Sequence, residues 1–221
     1  MTVIELTCNE GGCSIYTCSC GKIYKGDFTE QYYHEFDTRI EEPTCATRGT
    51  EITYCIRGDY THETDIGYTK HQYEGDFCTF CGCSHEKYFS HSGLSETGTN
   101  LLISQTETIP AHIVVPTVYM GCDVITIQIN WCQTVESIVI PSGIELGYSA
   151  FEYCFNLKDV YLPSSIHIID NTFSNCTSIE NIYYDGTIEE WEKIEKIGDW
   201  DWWMGDYTIH CSNGDITVKI Q

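Results

Sequence analysis

Positive charge is scarce in this chain: 11 lysine and arginine side chains stand against 33 aspartates and glutamates, for a formal net charge of -22. A field of that sign repels nucleic-acid phosphate and anionic lipid at long range, so it excludes both as partners and leaves neutral or basic surfaces. Long hydrophobic runs are missing as well. Nothing in the sequence approaches the roughly 18 consecutive apolar residues of a membrane-spanning helix. The opening MTVIELTCNEGG has neither the basic nor the apolar region of a secretory leader, so the expectation is cytoplasmic synthesis and no membrane insertion. Catalytic signatures are also absent: there is no G-x-S-x-G elbow, phosphate-binding loop, dinucleotide fingerprint or H-E-x-x-H helix. Acidic pairs such as Glu41 with Glu42 and Glu189 with Glu190 read as solvated charge at this acid content. The chain is not expected to be an enzyme.

What is present is periodicity. Cysteine recurs at 132, 154 and 176, a period of 22. Val135, Leu157 and Ile179 follow in register, then Ile138, Val160 and Ile182, then Ile140, Leu162 and Tyr184. Pro141 and Pro163 end the extended stretch, because proline has no N–H for a ladder, and Phe151 and Phe173 return one turn later to fill the interior. Each repeat is one strand plus one return arm. Repeats of this length cannot bury their apolar face alone, so they stack into a solenoid.

These stretches, CQTVESIVIPSGIELGYSAFEY, CFNLKDVYLPSSIHIIDNTFSN and CTSIENIYYDGTIEEWEKIEKI, resemble the BspA-type leucine-rich repeat, in which I-P, A-F and C-x-x-L-x-x-V recur at these offsets. The degenerate ETIPAHIVVPTVYMGCDVITIQINWC before them and IHCSNGDITVKI after them extend the resemblance over residues 109–221. It implies a non-enzymatic binding protein whose repeat surface attaches to a protein partner or a host surface glycan. The family is associated with adhesion and with the exterior of gut bacteria and their phages. Without a leader, the expectation is a phage virion component such as a decoration, fibre or tail protein. The alternative is a bacterial cell-surface adhesin, and behind both stands an acidic mimic of nucleic acid that inhibits a host protein. A homo-oligomer or neighbouring virion subunits would cover weak solenoid ends.

The first half carries a second period, of 37, that takes Cys8 to Cys45, Cys18 to Cys55 and His34 to His71. Two tandem modules follow from it, closed by EGDFCTFCGCSHEKY. Each holds too few apolar residues for a core, and units below about 40 residues are commonly stapled by metal or disulfides. Thiolate and imidazole at short spacing suit structural zinc, and Cys78-Thr79-Phe80-Cys81-Gly82 is a knuckle that presents two sulfurs from one tight turn. The modules look like zinc-ribbon-like Cys/His repeats, although Cys18 and Cys20 are separated by one residue and Arg57 replaces the second copy's counterpart of Cys20. The candidate ligands are Cys18, Cys20 and His34 with Cys8 or Cys45 in one site, and Cys55, His71, Cys78 and Cys81 with Cys45 as the alternative in the other. Disulfides are the competing reading for these cysteines, whereas the repeat cysteines read as buried thiols.

The expected architecture is mainly β. It comprises tandem zinc-ribbon-like modules over 1–83, a linker or N-terminal solenoid cap over 84–108, leucine-rich repeats over 109–187 and a helix-plus-hairpin cap over 188–221. Ile188, Trp191, Ile194 and Ile197 recur at spacing three as a helical stripe, and Asn213-Gly214 is a hairpin turn. Between them, Trp200, Trp202 and Trp203 lie beside acids, where exposed tryptophan could stack on a sugar ring or anchor a partner; the competing reading is closure of the cap.

Overall fold

The computed structural model describes residues 2–4, 13–17, 21–27, 34–58, 60–95, 98–103 and 109–219. It forms two units, residues 1–69 and residues 70–221. Cys8, Cys18 and Cys20 lie outside the described residues.

In the first unit, the strand Gly49–Cys55 pairs antiparallel with Phe36–Glu41 on one side and Thr61–Gly67 on the other. Only this central strand buries residues, at Gly49, Ile52 and Cys55, while Phe36–Glu41 is exposed throughout. Among the described residues of the unit, the buried apolar side chains are Cys45, Ile52 and Cys55. A second antiparallel sheet joins Thr2–Ile4, Cys13–Thr17 and Ile23–Gly26.

In the second unit, the strands His112–Val114, Ser137–Val139, Asp159–Leu162, Asn181–Tyr184 and Tyr207–Cys211 form a parallel sheet closed by the antiparallel strand Gly214–Val218. Its register stacks Ile113, Ile138, Val160, Ile182 and Ile209 in one file, and all five are buried. The 22-residue repeat thus becomes a one-coil translation that returns each inward side chain to its equivalent's position. On the return arms, Phe151 and Phe173 stack at 5.5 Å, and backbone hydrogen bonds from Ile129 to Ala150, Phe151 to Thr172 and Phe173 to Trp200 carry the ladder across the coils.

Each end of the solenoid is covered, which removes the apolar face a terminal coil would show to water. On the first side, Gly98–Ile103 pairs parallel with Cys122–Gln128 and antiparallel with Phe89–Ser95, and it buries Leu101. On the last, helix Ile188–Lys193 starts with a capping box: Thr187 Oγ1 accepts from the Glu190 N–H at 3.3 Å, and Glu190 Oε2 accepts from the Thr187 N–H at 2.8 Å. The helical stripe read from sequence ends early. Ile197 belongs to the strand Glu195–Ile197, which pairs with Ile168–Asp170, because one more coil of parallel pairing satisfies more backbone than a fraying helical turn.

The repeat cysteines are buried thiols and form no disulfide. Cys154 donates to the Ile129 carbonyl at 3.0 Å and Cys176 to the Phe151 carbonyl at 2.9 Å, each tying its coil to the one before. Burial pushes both thiols up, helped at Cys154 by neighbouring Cys176, and takes Cys176 to about 12. The unfolded chain releases these protons near the ordinary 9.0, while the folded chain keeps them. Stability from the two thiols is therefore complete below that pH and should decline between about 9 and 12, by on the order of 1.4 kcal/mol per pH unit per thiol. Urea melts at pH 8, 9.5 and 10.5 would read this decline, and replacing both residues with alanine should flatten it.

Candidate metal centre

Cys78 and Cys81 sit on a turn that follows the short strand pair Tyr73–Glu74 and Phe77–Cys78. The Gly82 N–H donates to the Cys78 carbonyl at 2.9 Å and the Cys78 N–H to the Cys83 carbonyl at 2.8 Å, which closes the knuckle with Gly82 at φ 73°. A residue with a Cβ is strained there, so glycine after the second cysteine is a backbone requirement. The turn is tied to the first solenoid strand. Ser84 N–H donates to the Val114 carbonyl at 2.8 Å, and Ser84 Oγ accepts from the Val114 N–H at 2.9 Å.

This turn brings together His71, Cys78 and Cys81, whose ligand atoms lie within 4.8 Å of one another. His71 Nδ1 is 3.5 Å from Cys81 Sγ and 3.6 Å from Cys83 Sγ, and the two sulfurs are 3.3 Å apart. A tetrahedral ion with bonds of about 2.0 to 2.3 Å has donor–donor edges of roughly 3.5 to 3.8 Å, so the spacing and chemistry fit zinc. His71 Nε2 is 3.3 Å from the Val118 carbonyl, which can only accept. The proton therefore belongs on Nε2, and the Nδ1 lone pair faces the sulfurs, the tautomer a metal ligand needs. Glu86 Oε1, 3.7 Å from the same nitrogen, adds negative charge behind the ring.

Burial acts to raise the Cys78 thiol, but N–H donors from Cys81 and Phe80 and the His71 ring outweigh it and bring the group down to about 6. A thiol held low favours the thiolate form, which is the form that binds a soft or borderline cation.

Of the other sequence-based candidates, Cys45 and Cys55 are buried in the first unit. His34, in the same unit, stacks on Phe36 at 5.4 Å and meets Tyr60 edge-on. Cys83 is a neighbour that the module spacing does not single out; its signal is the Cys81-x-Cys83 pair directly after the knuckle. His85 accepts from the Lys87 N–H and stacks on Tyr73 at 3.9 Å. Trp200 packs into the cap against Phe173, Trp191 and Tyr207, whereas Trp202 and Trp203 are exposed.

Residues 126–197 match the family model described as the BspA type leucine rich repeat region, in six copies. Curated proteins yield no match. Among solved structures, the chain is similar to a leucine-rich repeat protein from Bacteroides ovatus, at 22% identity with a TM-score of 0.41, over 56% of this chain and 39% of that one. It is also similar to a leucine rich cell surface protein from Faecalibacterium prausnitzii, at 20% identity with a TM-score of 0.29, over 55% of this chain and 42% of that one. This chain thus spans about two fifths of the length of the structures it matches. Within the matched segment 126–197 the inward file runs in one-coil register, Ile138 to Val160 to Ile182.

Proposed function

We propose that the chain is a non-enzymatic attachment protein, working at the exterior of a cell or of a phage virion, in which a rigid repeat solenoid presents a binding surface and structural zinc staples the preceding segment. The observation that carries the attachment reading is the outer face of the parallel sheet. There Tyr161, Tyr183 and His210 stack along the axis at 4.5 and 4.9 Å. Beside them Asn181 donates to Asp159 at 2.9 Å, and the two ring nitrogens of His210 face Asn181 and Asp215 at 3.1 and 3.0 Å. A polar and aromatic file held this firmly by its own hydrogen bonds loses little freedom on binding, and such preorganisation favours recognition.

For zinc, the donors His71, Cys78 and Cys81 support a closed structural site. A fourth donor is required; Cys83 is the thiol beside the group in the same unit, and Cys45 is the alternative that the sequence spacing offers. Disulfide pairing in place of metal would leave Cys78 and Cys81 unreactive after denaturation.

Beads coated with the purified chain should be retained on mucus-coated or cell-coated surfaces well above albumin-coated beads, and Tyr161→Ala combined with Tyr183→Ala should reduce the retention. Retention no greater than albumin would end the attachment reading. Immunogold labelling of virions against cell envelopes separates its two locations.

A further inference from the structure

The solenoid's turns carry a feature that the backbone alone does not call for. Trp131, Tyr153, Asn175 and Trp203 hold φ of 62°, 62°, 63° and 62°. Backbone hydrogen bonds from Trp131 to Glu152, Tyr153 to Ser174 and Asn175 to Trp202 show that the four are equivalent positions in successive coils. The left-handed region suits glycine or asparagine and strains a bulky side chain. Asn175 is what such a turn favours, yet the other three positions are aromatic. A need other than turn geometry therefore accounts for them.

Interior packing does not supply that need. Trp131 is 63% exposed and Trp203 67% exposed, and neighbouring Trp202 is 54% exposed. Trp131 and Tyr153 stack at 4.0 Å, forming a solvent-facing aromatic ledge. Trp202 and Trp203 line, with Thr177, Met204 and Gly205, a surface hollow of about 450 Å³. Coils in a parallel stack repeat at about 4.8 Å, so the ledge and the hollow lie along a single line, with Asn175 between them.

Charge is sparse on this line: the equivalent turn segments 129–135 and 173–179 carry no charged residue, 151–157 carries Glu152 alone, and Asp201 and Asp206 flank Trp202–Gly205. Their other polar groups are neutral: Gln133 donates to the Tyr153 carbonyl at 2.7 Å, and Asn156 and Thr177 add an amide and a hydroxyl. A basic peptide would find carboxylates only at the stripe's margins, at Glu152, Asp201 and Asp206. A second copy of the chain would bring another net charge of -22. Anionic polymers are repelled by the same field. Exposed aromatic rings interleaved with neutral hydrogen-bonding groups match the apolar C–H faces and the hydroxyls of sugar rings.

We propose that this aromatic turn stripe, from the Trp131–Tyr153 ledge to the Trp202–Trp203 hollow, is a binding site for a neutral glycan chain lying along the solenoid axis. The site goes beyond the attachment reading, because it lies on the turns, away from the sheet face that carries that reading. Asn175 supplies the test substitution, because the fold already carries asparagine at an equivalent turn. Trp203→Asn, Trp131→Asn and Tyr153→Asn should keep or raise the melting temperature.

The full chain is run by native affinity electrophoresis through gels containing soluble β-glucan, arabinoxylan, galactomannan or dextran, with heparin as the anionic control. Retardation by at least one neutral polysaccharide and not by heparin, weakened tenfold or more in Trp203→Asn and in Trp131→Asn, is the expected result. The proposal is overturned if no neutral polysaccharide retards the chain, if the asparagine variants bind as the parent does, or if a basic peptide array rather than a glycan selects Trp203. Bead retention without retardation in any gel would leave the attachment reading standing and remove the glycan site; retardation without bead retention would do the reverse.

Discussion

Treatment of the purified chain with a strong chelator should release about one zinc from the His71, Cys78 and Cys81 group and unfold the segment around the knuckle while the solenoid stays folded. The magnitude follows from chemistry. Structural zinc in small modules contributes about 10 to 16 kcal/mol at neutral pH, comparable with the whole stability of an ordinary domain. The solenoid survives because its own buried files from Ile113 to Ile209 do not include the thiolate donors. A second zinc equivalent would fall to the other set read from the sequence, Cys18, Cys20 and His34 with Cys8 or Cys45.

Cys81→Ser should weaken zinc binding by more than about 100-fold, beyond the roughly 10- to 100-fold expected for losing a group that merely orients a ligand. Competition with a chromophoric chelator measures this. Running Cys83→Ser and Cys45→Ser alongside identifies the fourth donor. With Cys78 down at about 6, protons compete for that thiol only below about that pH, so zinc should be retained at pH 7 and lost as pH falls through 6 toward 5. In the metal-free protein at pH 7, iodoacetamide should label Cys78 well before Cys154 and Cys176, whose burial keeps them protonated. Absence of zinc, together with unreactive knuckle thiols, would replace the metal staple by disulfides.

Phe173→Ala should cost about 3 to 5 kcal/mol, the usual range for removing a fully buried ring. Phe173 is wholly buried, stacked on Phe151 at 5.5 Å and met edge-on by Trp200 at 6.3 Å. Its loss opens a cavity between the last repeat and the cap, and contacts in a stack of coils run only to neighbours. Trp200, Trp191 and Tyr207 should loosen first, and urea melts followed by tryptophan fluorescence should show a lower midpoint with an early step from the cap. Trp203→Ala, on the exposed surface, should stay within about 0.5 kcal/mol. A change below about 1 kcal/mol at Phe173 would mean that the cap does not continue the solenoid core.

Much of the candidate metal site was legible in advance. Cys78-x-x-Cys81 is a local turn, and local spacing is what a sequence displays. His71 and its ring orientation were only half legible: its position came from the 37-residue period, but the tautomer depends on the Val118 carbonyl, 47 residues away. Spacing does not single out Cys83, because a third sulfur two residues on is ambiguous until the turn closes and its Sγ faces Cys81. Trp200, Trp202 and Trp203 stand almost together in sequence, yet they divide between core and surface because the Trp200 carbonyl accepts from the Phe173 N–H and its ring turns edge-on to Phe173 within the cap.

The amino-acid sequence by itself determined the solenoid. A 22-residue recurrence of apolar residues, cysteine, proline and phenylalanine admits one economical burial, with each coil translated onto the last, and Val160 accordingly pairs with Ile138 and Ile182. The tertiary structure alone decided how the end coils join. Ile113 to Ile138 and Ile182 to Ile209 also pair in register, although their separations exceed the repeat, because extra residues loop out without disturbing the inward file. It likewise decided that aromatic residues occupy left-handed turns. Local propensity argues against that placement at Trp131, Tyr153 and Trp203, and cross-coil backbone hydrogen bonds impose it, holding each turn to the shape of its neighbour.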